Sequence, residues 1–166
     1  MKINMEKMNC KLSCFEEIEP LEYFKQFNIY QNININNKSS YITNIEKTIP
    51  KIEINSTKII NSKISDSIKG TSLEGQHLSG KNLIIIGTIG IKLILEYGIK
   101  GKKGKVSSKI DINNIKIPFS TFIAIPEETY ENEVLNLRYL IEDTTISKIT
   151  ENQLLISITM IIQYID

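Results

Sequence analysis

Tryptophan is absent from this chain of 166 residues, and alanine, histidine and arginine occur once each. Each shortage removes a class of function. A triad or imidazole acid–base mechanism has only His77 to work with, and neither nearby hydroxyl, Ser72 or Ser79, sits in a G-x-S-x-G elbow. A single histidine in a glycine-rich stretch is ordinarily a solvated side chain, so an enzyme is not expected. Two cysteines, Cys10 and Cys14, make no disulfide framework. With one histidine elsewhere they fall short of the four ligands of a structural zinc site. No cofactor and no metal are expected.

Charge of one sign is also missing. Twenty Lys and Arg against nineteen Asp and Glu leave a net charge of +1, which argues against a nucleic-acid partner. The longest apolar stretches are Leu83 to Ile86 and Leu154 to Ile165, the latter interrupted by Ser157, Thr159 and Gln163. Neither reaches the roughly 20 residues of a membrane-spanning helix. Residues 1–25 carry Glu6, Glu16, Glu17, Glu19 and Glu22 and no apolar export core, so the chain is expected to stay in the cell that makes it.

What is present is isoleucine, 35 residues of it, with 19 lysines and 16 asparagines, a skew typical of an AT-rich bacterial genome. Isoleucine is β-branched and suits a pleated surface, while the best helix former is nearly absent. The length sets an expectation of one domain.

Residues 1–25 lack period-2 alternation and read as an N-terminal arm, with a short helical turn over Leu21 to Phe24 after Pro20. The rest, 26–166, reads as one β-domain. Phe27, Ile29, Ile33 and Ile35 share a parity against Asn28, Tyr30, Asn32 and Asn34, which predicts a half-buried strand. Tyr41 to Lys47 reads as a helical or irregular link, and a strand follows from Lys51 to Ser62. Gly70 to Lys81 is a loop. Leu83 to Tyr97 is a long strand, with Gly87 or Gly90 placed for a bend or bulge. Gly98 to Lys105 is a turn and Val106 to Ile117 the returning strand of a hairpin. Pro118 separates it from a short strand, Phe119 to Ile125. Val134 to Ile141, Thr144 to Thr150 and Leu154 to Ile165 complete the set. Seven to nine strands with turns between them predict an all-β fold, an antiparallel β-sandwich of jelly-roll-like or Greek-key type.

Three features bear on binding or chemistry. Gly70-Thr71-Ser72-Leu73-Glu74-Gly75 has the glycine spacing of a phosphate loop, but Gln76-His77 replaces the required lysine and hydroxyl, and a strand follows rather than a helix. Cys10 and Cys14 read as reduced thiols, with disulfides between subunits as the sharper alternative. Lys100, Lys102, Lys103 and Lys105 oppose Glu127, Glu128, Glu131 and Glu133 in sign. They are solvated hairpin ends, or a head-to-tail contact between subunits that builds an open array.

Several stretches are familiar. Gly70-Thr71-Ser72-Leu73-Glu74-Gly75-Gln76, followed by Leu78-Ser79-Gly80-Lys81-Asn82-Leu83-Ile84-Ile85-Ile86-Gly87, resembles the GTSLEGQ-LTGKKLIIEG signature of the SPOCS domain. Ile117-Pro118-Phe119-Ser120-Thr121-Phe122-Ile123, with Pro126 after it, matches that family's IPFSTFI segment, and Leu140-Ile141-Glu142-Asp143 is similar to its IEDV strand. The resemblance covers roughly residues 45–166, with the three motifs in family order.

The resemblance implies an endospore-forming, clostridial source and a structural or scaffolding part in the spore envelope. Synthesis would be in the mother cell, followed by deposition in the coat or exosporium. Some family members carry a peptidoglycan-binding LysM module; these 166 residues hold one SPOCS-like copy and none of the module. The family supplies no catalytic residues to carry over. Three readings follow. One is a self-assembling protein of coat, exosporium or appendage, whose partners are itself and other spore-coat proteins. The second is an adaptor that docks onto a coat morphogenetic protein without polymerising. The third is a carbohydrate- or peptidoglycan-binding sandwich using the Gly70–Lys81 loop, which lacks the tryptophan on which sugars commonly stack.

Overall fold

Alternation of one apolar and one polar residue gives a strand a core face and a solvent face, and the last strand shows it most completely. Leu154, Ile156, Ile158, Met160 and Ile162 are fully buried, and Tyr164 nearly so. The structure, a computed structural model, describes residues 10–14, 21–35, 40–62, 78–100, 106–130 and 134–165. Those residues form seven strands and no helix. They are β1 (Cys10–Cys14), β2 (Tyr23–Asn34), β3 (Ser40–Asn61), β4 (Lys81–Lys100), β5 (Val106–Ile125), β6 (Leu135–Thr150) and β7 (Gln153–Ile165).

The strands make two sheets, β1-β6-β7-β2 and β3-β4-β5. Every pairing is antiparallel except that of β1 with β6. The three-stranded sheet is a meander. The β6–β7 hairpin inserts between β1 and β2, so the four-stranded sheet joins the two ends of the chain. The inward faces of the two sheets enclose one core. β4 supplies Leu83, Ile85, Ile89, Ile91, Leu93 and Leu95, and β7 supplies its own buried row. On one side Phe27 of β2 meets Phe119 of β5 with ring centroids 5.8 Å apart. At the β6–β7 turn, the Ile42 amide donates to the Glu151 carbonyl at 2.9 Å and Lys148 Nζ donates to the Ile42 carbonyl at 2.5 Å. The fold is an all-β sandwich, as the alternation requires.

Several boundaries differ from the sequence reading, each for a local reason. The helical turn over Leu21–Phe24 does not form: β2 begins at Tyr23, and its ladder with β7 pairs Tyr23 with Tyr164. The boundary between residues 25 and 26 therefore falls inside a strand, and part of the arm is itself a strand, β1. The link over Tyr41–Lys47 is also strand, carried past irregular spots by register shifts between Ile42 and Asn44 and between Ile45 and Lys47. Pro118 does not split β5, and Pro50 does not split β3. Both strands lie at sheet edges, where one side makes no ladder bonds and proline's missing N–H is tolerated. Val134–Ile141 and Thr144–Thr150 are one strand with a shift between Ile141 and Asp143. The bulge expected at Gly87 sits in the partner strand instead, between Ile54 and Ser56 of β3.

Candidate functional site

The glycine-rich segment enters β4 through Ser79, Gly80 and Lys81, and Ser79 and Lys81 hold the turn that follows β5. Gly80 takes φ 84°, a conformation that an added Cβ would strain. Ser79 Oγ donates to the Ile125 carbonyl, and Lys81 Nζ donates to the carbonyls of Glu127 and, at 2.9 Å, Thr129. The same ammonium lies 5.9 Å from the Tyr130 ring centroid. The start of β4 thus clamps the turn that follows β5. His77 and residues 70–76 lie outside the described residues. Among the described residues, no group of three or more His, Cys, Asp or Glu is placed to hold a metal ion.

The described members of the two charged clusters, Lys100 on one side and Glu127 and Glu128 on the other, sit at opposite ends of one long strand pair. Lys100 closes β4 opposite Val106, the first residue of β5, whereas Glu127 and Glu128 are exposed just beyond the last, Ile125. The twenty residues of β5 give a contour of about 60 Å between them. Within one chain the two ends cannot meet, while a head-to-tail neighbour would bring them together. Lys102, Lys103, Lys105, Glu131 and Glu133 lie outside the described residues.

Cys10 and Cys14 lie at the two ends of β1, on its core-facing side with Leu12, opposite Leu135, Leu137 and Tyr139. Four residues of strand separate their Cα atoms by about 13 Å, well beyond the roughly 7 Å limit for a disulfide. While β1 stands they cannot bond to each other, and the chain has no third cysteine. A disulfide from either would go to another chain. Their surroundings differ. Cys10 is half-buried against the core, and burial pushes its thiol pKa up; Cys14 is exposed.

The largest feature open to partners is the sandwich surface itself. On the solvent face of the meander, Ile94 pairs with Ile112, Glu96 with Ile110 and Ile84 with Phe122. Ile110, Ile112 and Phe122 are 62, 54 and 50% exposed. Lys25 Nζ lies 5.6 Å from the Phe122 ring centroid. A single exposed isoleucine means little, but Ile110 and Ile112 beside Ile94, and Phe122 beside Ile84, make two apolar clusters ten residues apart along β4, of the kind that mark contact surfaces. The second parity of β4, with Ile84, Ile86 and Ile94, is visible in the sequence. What lies opposite each one is not, because register is a tertiary property.

Sheet edges add to this surface. β1 covers β6 only from Leu135 to Tyr139, so among the described residues nothing pairs with the outer side of β6 from Leu140 to Thr150. β3 is guarded by three register shifts, Pro50 and exposed Lys47, Lys51 and Lys58, devices that discourage edge pairing. The same stretch of β6 has two register shifts, between Ile141 and Asp143 and between Lys148 and Thr150, and Lys148, but no proline.

No helix among the described residues is long and apolar enough to cross a membrane. In comparisons with known proteins, no family model, no curated protein and no solved structure matches the chain.

Proposed function

We propose that the chain is a non-enzymatic structural protein of the bacterial endospore envelope, in coat, exosporium or appendage, that assembles with copies of itself. The observation that carries self-assembly is the solvent face of the meander, where Ile94–Ile112 and Ile84–Phe122 put paired apolar side chains in water. Three further features agree with it. Among the described residues nothing pairs with the outer side of β6 beyond Tyr139, the described charged ends of β5 are spaced for head-to-tail contact, and the thiols of β1 can form disulfides only with other chains. The spore assignment rests on the SPOCS-like motifs around Gly70–Gly87, Ile117–Ile123 and Leu140–Asp143. Synthesis in the mother cell and deposition on the forming spore go with that assignment. Other coat proteins are further partners, and the open β6 edge serves equally an adaptor that docks onto one of them.

Sedimentation velocity over a wide concentration range separates the readings. Self-assembly predicts species that grow with concentration and shrink when residues 1–20, which stop short of β2, are removed. A monomer or fixed dimer at every concentration, recovered with a coat protein from sporulating cells, would favour the adaptor.

A further inference from the structure

The four-stranded sheet has an unusual edge. β1 follows β6 in parallel for five residues, the one parallel pairing among the described strands, and parallel pairs are slightly less stable per residue. None of its core-facing side chains is fully buried: Cys10 and Leu12 are half-buried and Cys14 is exposed. The slot it fills is a different matter. Leu135 and Leu137, its partners on β6, are 0 and 1% exposed, and losing the neighbouring strand would open them to water at a cost that grows with apolar area. The slot therefore demands a strand, while the strand is only weakly committed to it.

Topology leaves open which copy supplies that strand. β1 and β2 are consecutive in the chain but occupy opposite edges of the sheet, with β6 and β7 between them. Three strand spacings amount to about 14 Å, and residues 15–22 reach about 26 Å when extended, so the connection allows β1 to stay in its own chain and equally to leave it. A β1 supplied by a second copy makes the same contacts with β6, so exchange sacrifices no pairing and is decided by concentration and by the connection.

We infer that β1 is exchanged between copies, the β1 of one chain filling the slot beside β6 of the next. The inference rests on the self-assembly reading and names a contact that joins its units. Repeated in one direction, a donor edge and an acceptor edge that differ give a heterologous contact, which propagates rather than closes. Cys10 and Cys14 then travel with the donated strand into the neighbouring molecule.

The test uses full-length chains in which Cys10→Ser and Cys14→Ser remove the native thiols. Lys11 and Asn136 are cross-strand partners and both exposed, so one chain carries Lys11→Cys and a second carries Asn136→Cys. The two are mixed unfolded, refolded together and oxidised. Exchange predicts a covalent dimer of the two chains, and a ladder of covalent multimers from one chain carrying both substitutions. Ser13→Cys with Arg138→Cys repeats the test one pair further along should the first pair disturb folding. If the doubly substituted chain yields only internally cross-linked monomer while particles still form, exchange is wrong and self-assembly stands. Particles with no cross-link of either kind overturn it too, because β1 then lies off β6 altogether. Internally cross-linked monomer without particles removes both readings.

Discussion

Gly87 of β4 and Phe119 of β5 are direct cross-strand partners, and the Phe119 ring occupies the space a Cβ on Gly87 would need. An aromatic side chain laid over a glycine on the neighbouring strand fills the gap that the missing side chain leaves. Here it also carries Phe119 to its contact with Phe27 of the other sheet. Gly87→Ala must displace the ring or the Glu53 carbonyl, 2.8 Å away, and overpacking of that kind costs about 1–3 kcal/mol. Thermal melts should show a clear fall for Gly87→Ala. Gly90→Ala meets nothing closer than the Lys51 carbonyl at 3.8 Å and should melt at or above the parent temperature.

Lys81 ties the start of β4 to the turn after β5. Lys81→Met keeps the aliphatic stem and removes the hydrogen bonds to the Glu127 and Thr129 carbonyls, a loss of about 1 kcal/mol. Amide exchange should speed up at Thr129, whose N–H bonds the Pro126 carbonyl at 3.3 Å, and stay unchanged in β7.

Tyr97 is 2% exposed and accepts a hydrogen bond from Asn113 Nδ2 at 2.9 Å. Burial raises its pKa above the ordinary tyrosine value, with Asp111 adding to the effect against the opposing Asn113 bond and Lys109. The unfolded chain therefore loses this proton first. The stability that Tyr97 contributes is complete below about pH 10 and is lost as pH rises through the folded-state value. Melting temperature should fall on the alkaline side, and Tyr97→Phe should make that fall shallower. Tyr139, raised by burial as well, leaves part of the slope in place.

The exposed row on the meander allows association to be separated from folding. Ile110 and Ile112 point to solvent and contribute little to the core, so Ile110→Lys with Ile112→Lys should leave the unfolding free energy within about 1 kcal/mol of the parent. Self-association measured by light scattering should weaken markedly. Undiminished association in the double variant would move the contact surface elsewhere.

Much of the fold is legible in residue order. Isoleucines at alternate positions give β2, β4 and β7 to within a few residues and both halves of β5, and the hairpin between β4 and β5 follows from the glycine–lysine turn. Two prolines mislead, because whether a strand ends at Pro50 or Pro118 depends on whether it is an edge, and edges are decided by distant pairing. β1 does alternate, Cys10, Leu12 and Cys14 against Lys11 and Ser13, but five residues are too few to stand out from the arm, and its partner, β6 with Leu135 and Leu137, is more than 120 residues away in the chain. The same limit holds for the candidate surface. The sequence shows Ile84, Ile94, Ile110, Ile112 and Phe122, but only register aligns them into rows across β4 and β5. Cys10 and Cys14 stand out from the start, whereas the reason they cannot bond to each other appears only once Lys11, Leu12 and Ser13 are extended between them.

The central claim is that these sandwiches are units built to join one another. Electron microscopy of the purified full-length protein, before and after mild oxidation, tests it most directly. The account predicts fibres or sheets with a regular repeat, made more resistant to denaturant by oxidation. A field of single particles of about 19 kDa at high concentration, unchanged by oxidant, would contradict it.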